Sequence, residues 1–166
     1  RNIYIILLSA MMICVGCQWH MRTGDKENST VRITIERYDQ LERHFLTSGD
    51  VAALQQMNTE YPAETRTLIE DVLRIGHVDE PDITVRFLAF FQDSTLQTLL
   101  HDVQEQYADM SDVEAQLTGA FQRLPDMIPT LQTPRVYTQI GSLDQSIVVG
   151  NGLLGISLDK YLGTGH

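Results

Sequence analysis

The residue with the most specific chemistry in this sequence is Cys17, which directly follows Gly16. Residues 3–15 before it are apolar except for one serine and one tyrosine, and Arg1 precedes them. This run is shorter than the roughly 20 residues that a transmembrane helix needs, and it suits the apolar part of a secretory signal. A small residue before cysteine at that point is typical of a bacterial lipobox, whose thiol receives diacylglycerol. We therefore predict a lipoprotein signal peptide over residues 1–17, with a buried helix or an uncleaved anchor as the alternative.

Cleavage before Cys17 would remove Cys14 with the signal, so no disulfide would form within the mature chain. The mostly polar residues 18–30 are predicted to be a flexible tether. The partner that Cys17 implies is a membrane, reached through lipid. The domain would then lie in the cell envelope outside the cytoplasm, at either the inner or the outer membrane.

The composition excludes two broad classes of protein. The chain is 43% hydrophobic, which is enough for a core and argues against disorder. Its 12 Lys+Arg against 22 Asp+Glu give a formal charge of −10, without a basic cluster. Such a chain repels phosphate backbones, so we predict no nucleic-acid binding.

A nucleotide site and a metal site are both suggested weakly and rejected. Gly150, Gly152 and Gly155 fit G-x-G-x-x-G, but a dinucleotide site needs a helix after the glycines, and the residues here predict a hairpin turn. His101 and Glu105 lie one helical turn apart but lack the second histidine of H-E-x-x-H, which favours an exposed polar helix face.

Clustered acids such as Glu70-Asp71 and Asp79-Glu80-x-Asp82 can be interpreted as acid–base groups, calcium ligands or solvated side chains. Neighbouring acids in loops are most often solvated. The sequence also lacks the G-x-S-x-G nucleophile motif. We predict no catalytic residue and no cofactor in this chain.

Periodicity predicts helices first and strands afterwards. Residues 31–35 alternate as a short strand, and residues 83–91 fit a buried helix or a strand equally well. The predicted helices are residues 39–46, one capped by Asp50, one from Pro62 to Gly76, and two opened by capping boxes at Ser94 and Ser111, the last ended by Pro125 and Pro129.

The remaining elements are predicted strands at 135–140, 146–149 and 153–158, the last two forming a hairpin about Gly150-Asn-Gly152. A helical layer followed by a small antiparallel sheet predicts an α+β fold.

Several segments, taken in order, resemble the GldB family of gliding-motility lipoproteins. They are Ile35-Glu-Arg-Tyr-Asp39 with Leu41 and Phe45, Tyr61-Pro62, Phe121-Gln-Arg123 with Pro125 and Pro129, Pro134-Arg-Val-Tyr-Thr138, and Ile156-Ser-Leu-Asp-Lys-Tyr-Leu-Gly163. The resemblance covers residues 31–163 and agrees with the lipobox. Around Gly141 and Ser142 the residues differ from the usual sequence of the family. Family members run beyond His166, so the domain over residues 31–166 is expected to be incomplete at its C-terminus.

The resemblance implies a lipoprotein of the Bacteroidota cell envelope that is associated with gliding motility or with type IX secretion and contacts proteins of that apparatus. It carries over no catalytic residue. The family is distantly similar to zinc proteases that bear H-E-x-x-H, which implies an incomplete, metal-free zincin-like domain. The alternative is a membrane-anchored zinc metallopeptidase whose metal-binding helix follows residue 166.

Four residues of the matching segments are candidate family-motif residues: Arg37, Asp39, Tyr137 and Asp159. For Arg37 and Asp39 we favour an ion pair that ties the first strand to the first helix. Asp159 is expected either to have a structural role, such as capping a helix that begins at Lys160, or to face a cleft.

Overall fold

The computed structural model describes residues 31–141 and 143–163. The signal peptide, Cys17 and the tether predicted from the sequence lie outside them. The described helices are α1 (Tyr38–Ser48), α2 (Val51–Glu60), α3 (Pro62–Arg66), α4 (Ile83–Phe90), α5 (Ser94–Gln106) and α6 (Ser111–Met127). A π-helical segment, Thr67–Val72, continues α3. The strands are β1 (Ile35–Glu36), β2 (Arg135–Gln139), β3 (Ile147–Gly150) and β4 (Leu153–Ser157), and a 3-10 turn, Leu158–Tyr161, follows β4.

The four strands form one sheet in the order β1-β2-β4-β3. The α+β class is confirmed, and so is the hairpin of β3 and β4, which pair antiparallel. The sheet is mixed rather than wholly antiparallel, because β2 pairs in parallel with both β1 and β4. The six described helices, α1 to α6, lie between β1 and β2 in the chain, and a connection of that length permits the parallel arrangement.

The segment that was predicted as a strand over residues 31–35 pairs with the sheet only at Ile35–Glu36. Side chains of α6 accept hydrogen bonds from backbone N–H groups of this segment. Glu114 accepts from the Ile35 N–H at 2.7 Å and Thr118 accepts from the Ile33 N–H at 3.0 Å. These two side chains are four residues apart and so lie on one face of α6. The helix therefore covers this edge of the sheet.

Several predicted helix boundaries need correction. Asp50 caps α2 as expected, and Asp93, one residue before the predicted Ser94, caps α5. The N-cap of α6 is Met110, which makes no side-chain capping bond, and Asp109 before it accepts from the Ser111 N–H. Pro125 lies inside α6 instead of ending it. The segment 83–91, which the sequence left undecided, is the helix α4.

The helix that was predicted to run from Pro62 to Gly76 changes at Thr67 to π-helical bonding. Leu73 N donates to Leu68 O at 2.8 Å, five residues back. The chain then turns at Arg74, whose φ of 54° is left-handed. The regular helix therefore ends before Gly76.

The two faces of the sheet have different surroundings. Opposed residues of paired strands share a face, so Tyr137 and Gly155 lie on one face, while Ile147, Val149, Leu154 and Ile156 lie on the other. Tyr137 packs edge-on against Tyr38 of α1, with ring centroids 6.2 Å apart. We call the Tyr137 side the closed face and the Ile147 side the open face.

Candidate functional site

Four carboxyl side chains lie in the interior of the domain, which is unusual because buried acids need partners. We call them the buried acidic layer; they are Asp39, Glu42, Glu64 and Asp159, each at most 2% exposed. Two of them, Asp39 and Asp159, are among the residues singled out from the sequence.

Asp39 forms the ion pair that the sequence suggested. Arg37 donates through Nε to Oδ1 at 2.9 Å and through Nη2 to Oδ2 at 2.8 Å, a two-point contact. This hydrogen bond is the main reason why the pKa of Arg37 is raised. Asp39 Oδ1 also accepts a hydrogen bond from Thr138 of β2. The pair thus joins the start of α1 to the centre of the sheet.

Glu42 was not identified from the sequence. Its Oε2 accepts the Ile140 N–H at 2.9 Å, and the side chain is fully buried. Burial raises the pKa of Glu42 well above its ordinary value, and the nearby Asp39 and Asp159 carboxylates raise it further. The spacing in the sequence does indicate burial of Glu42. It lies four residues after Tyr38 and three before Phe45, on the buried face of α1.

Asp159 anchors the loop between β2 and β3. Its two carboxylate oxygens accept the N–H groups of Gly141 at 2.7 Å and Leu143 at 2.6 Å. Lys160 Nζ donates to Leu143 O at 2.6 Å beside it. Burial raises the pKa of Asp159, although both backbone bonds oppose this. The carboxylate therefore bonds the loop and does not cap a helix from Lys160 onwards.

Glu64, also missed from the sequence, lies where α3 meets the first two strands. Arg135 of β2 forms a two-point contact with Glu36 of β1, at 2.9 and 2.6 Å. The same guanidinium lies 3.1 Å from Glu64 Oε1, although this oxygen lacks a hydrogen-bond partner. The sequence shows no pattern that places Glu64 on the buried side of α3.

Tyr137 explains the third glycine of the apparent nucleotide motif. A Cβ on Gly155 would lie 2.6 Å from both Cζ and Oη of Tyr137, so only glycine leaves room for this ring. The earlier Gly152 has a φ of 73° and forms the hairpin turn. Burial, with nearby carboxylates, raises the pKa of Tyr137 to about 12. The motif is thus a turn and a packing site.

The buried acidic layer is suited to holding elements together rather than to reacting with a substrate. Its members bond backbone N–H groups, Thr138 or arginine side chains, and they are shielded from solvent. A general acid or base must reach a substrate atom at hydrogen-bond distance. Within residues 31–141 and 143–163, no group of three or more His, Cys, Asp or Glu side chains could hold a metal ion.

The open face provides the accessible site. An apolar groove of about 290 Å³ lies between the helices and the hairpin. It is lined by Tyr107, Met110, Val113, Ile147, Ile156, Leu158 and Tyr161. Val149, on the same face of the sheet, is 78% exposed. Apolar periodicity in the sequence does not say whether another element covers such residues.

In the part of the chain that the structure describes, no helix is long and apolar enough to cross a bilayer. A search of the curated proteins returned no significant match, and neither did a search of the solved structures. The family model GldB_lipo, described as gliding motility protein GldB, matches residues 21–166. The match covers most of the chain, including all four candidate family-motif residues, and its designation denotes lipoproteins. The chain therefore belongs to the GldB family of gliding-motility lipoproteins.

Proposed function

We propose that this protein is anchored in the cell envelope by lipid on Cys17 and acts in gliding motility, or in the associated type IX secretion, through protein contacts rather than catalysis. Family membership and the lipobox support this proposal. The formal charge of −10 also agrees with it, because so acidic a domain is repelled by anionic lipid and needs another means of attachment.

The observation that carries the proposed protein contacts is the open face. Val149 and Ile147 of the edge strand are 78% and 44% exposed, and Tyr161 beside the groove is 48% exposed. Clustered apolar side chains at the surface typically mark protein–protein contacts in soluble domains. By comparison, the acids inside the domain have no access to a substrate.

Site-specific photocrosslinking in cells tests this surface. A photoreactive amino acid replaces Val149, and in a matched control it replaces Val85 of α4, which is 68% exposed. We expect covalent adducts with envelope proteins from position 149 and few from position 85, because only the first lies on the open face. Equal adduct formation at both positions would contradict a specific contact there.

Metabolic labelling with a palmitate analogue tests the anchor separately. Cys17→Ser is expected to abolish labelling, since the hydroxyl cannot replace the thiol that accepts the lipid. Cys14→Leu is the control, because leucine is the usual residue at that position of a lipobox and should leave labelling intact. Labelling that survives in Cys17→Ser would exclude this residue as the lipid site.

A further inference from the structure

A second groove, of about 340 Å³, lies between α1 and α5 and shares no lining residue with the apolar groove. Arg43 and Thr47 of α1 form one wall, and Gln97, His101 and Gln104 of α5 form the other. The α5 residues recur at spacings of three and four, so they lie on one face of that helix. Leu100, which is 1% exposed, lies beneath them.

Arg43 is the unusual member of this groove. It is partly buried, and its Nε is inaccessible to solvent and has no hydrogen-bond partner. A buried donor without an acceptor costs free energy, and more so when the group is charged. Because Nε is inaccessible, a ligand does not bond it directly, but an anionic group bound at the terminal nitrogens of this guanidinium would offset part of the cost of burying its charge.

Arg43 differs from most of the other described arginines, which form ion pairs. Among the described arginines, those at 37, 66, 74, 86 and 135 each have a carboxylate within 4 Å. Arg43 has none among the described residues, although the chain carries 22 acids. Arg32 and Arg123 also lack one in that part of the chain, but both are exposed to water. Only Arg43 combines partial burial with an unpaired charge among these residues.

The remaining groups of the groove indicate the charge of the ligand. Gln97 Nε2 is already used, because it donates to Phe91 O at 2.5 Å. Glu105 lies at the rim, with its nearest carboxylate oxygen 3.9 Å from His101 Nδ1, and repels a ligand that carries several negative charges. The guanidinium fork can contact a planar carboxylate at two points. A carboxylate with one negative charge is repelled less by Glu105 than a phosphate dianion is.

We propose that the groove between α1 and α5 binds a single carboxylate group, held by Arg43 with the Gln104 amide beside it. A peptide C-terminus and an acidic side chain both offer this chemistry. This site is independent of the lipid anchor and of the open face, so it stands or fails separately from the proposed function.

Titration of the ¹⁵N-labelled full chain in a neutral detergent, observed at the Arg43 Nε–H resonance, tests the proposal. Arg43→Lys identifies that resonance by its disappearance. The probes are N-acetyl-trialanine with a free carboxyl terminus, and N-acetyl-Ala-Glu-Ala-amide, whose carboxylate is on a side chain. N-acetyl-Ala-Gln-Ala-amide is the neutral control. The acidic peptide that binds more tightly shows whether the site prefers a C-terminal or a side-chain carboxylate.

A saturable shift with either acidic peptide, and none with the neutral one, is expected. Arg43→Gln, followed through neighbouring backbone amides, should weaken binding by about tenfold or more, because a two-point charged contact is lost. Gln104→Ala should weaken it less, while Arg123→Gln, at an exposed and equally unpaired arginine, should leave it unchanged.

Three results would overturn the proposal. The first is the absence of a saturable shift with both acidic peptides. The second is an equal shift with sodium chloride at the same ionic strength, or equal weakening in Arg123→Gln, which would indicate screening alone. The third is tighter binding of inorganic phosphate than of either peptide, which would exclude preference for a single carboxylate.

Discussion

The closed and open faces of the sheet reverse the usual distribution of side chains. Around the closed face and its connections, Glu42 and Asp159 are buried with backbone N–H groups as partners. On the open face, Val149 and Ile147 remain exposed to water. Polar groups are thus inside and apolar groups outside in neighbouring parts of one small sheet.

Burial alone therefore does not identify a functional site in this domain. The buried carboxyl groups have specific partners, and those partners belong to loops and strand ends that need an acceptor. The exposed valine and isoleucine have no such requirement within the domain. We therefore assign the acids to holding the fold and the exposed apolar residues to contacts with other proteins.

The largest effect is expected on the closed face, from Gly155→Ala. The new Cβ would lie 2.6 Å from the ring of Tyr137, so the buried ring must move. We expect a loss of about 3 kcal/mol in the free energy of unfolding, measured with urea. Gly150→Ala is the control, because its Cβ would approach only Leu153, at 3.8 Å, and should change stability by less than about 1 kcal/mol. Similar losses in both variants would contradict the packing role of Gly155.

The next largest effect is expected from Asp159→Ala. It leaves the N–H groups of Gly141 and Leu143 without their acceptor, and we expect a loss of about 2 kcal/mol. Hydrogen exchange should quicken at the same two amides. Asp144→Ala in the same loop is the control, because its carboxylate is exposed and 3.8 Å from Arg74, so about 0.5 kcal/mol or less is expected. Unchanged exchange at residues 141 and 143 would argue against the anchoring role.

Raising the pH should destabilise the wild-type protein relative to a Glu42→Gln variant. The pKa of Glu42 is raised in the fold, chiefly by burial, so its protonated form stabilises the protein. That stabilisation is complete below the ordinary pKa of 4.5 and is lost as the pH rises through the folded pKa. Glu42→Gln keeps an acceptor for Ile140 N–H but binds no proton. Wild type should therefore lose stability relative to Glu42→Gln as the pH increases, in urea unfolding across a pH series.

Asp159, whose pKa is also raised, is present in both proteins and does not affect that difference to first order. Two parallel pH profiles would mean that Glu42 does not change its protonation between the folded and unfolded states.

The smallest effect is expected on the open face. Val149→Thr should change the free energy of unfolding by less than about 0.5 kcal/mol, because the side chain is 78% exposed. Val136→Thr is the matched variant on the same face, at 1% exposure, where a buried hydroxyl should cost about 1 kcal/mol or more. A comparable loss at position 149 would show that Val149 contributes to the core.

Local sequence predicted much of the element order. The helices after Asp50 and Pro62, the β3–β4 hairpin and the Arg37–Asp39 pair all depend on residues close together in the chain. The capping positions were misplaced because Asp93 and Ser94 are both good capping residues and only the backbone angles select one. Pro125 was misread as the helix end, because an interior proline removes one i→i−4 hydrogen bond and clashes with the preceding turn, and α6 continues to Met127 despite that cost.

The candidate sites depended on contacts between distant segments. The sequence determined the helices, the hairpin and the lipobox pattern, because each arises from interactions among nearby residues or from a short motif. Only the tertiary structure decided that Glu42 meets Ile140, that Arg43 finds no carboxylate among the described residues, and that Val149 remains uncovered. The physical reason is that burial and charge pairing depend on which faces of remote elements meet. A residue's immediate neighbours do not specify that meeting.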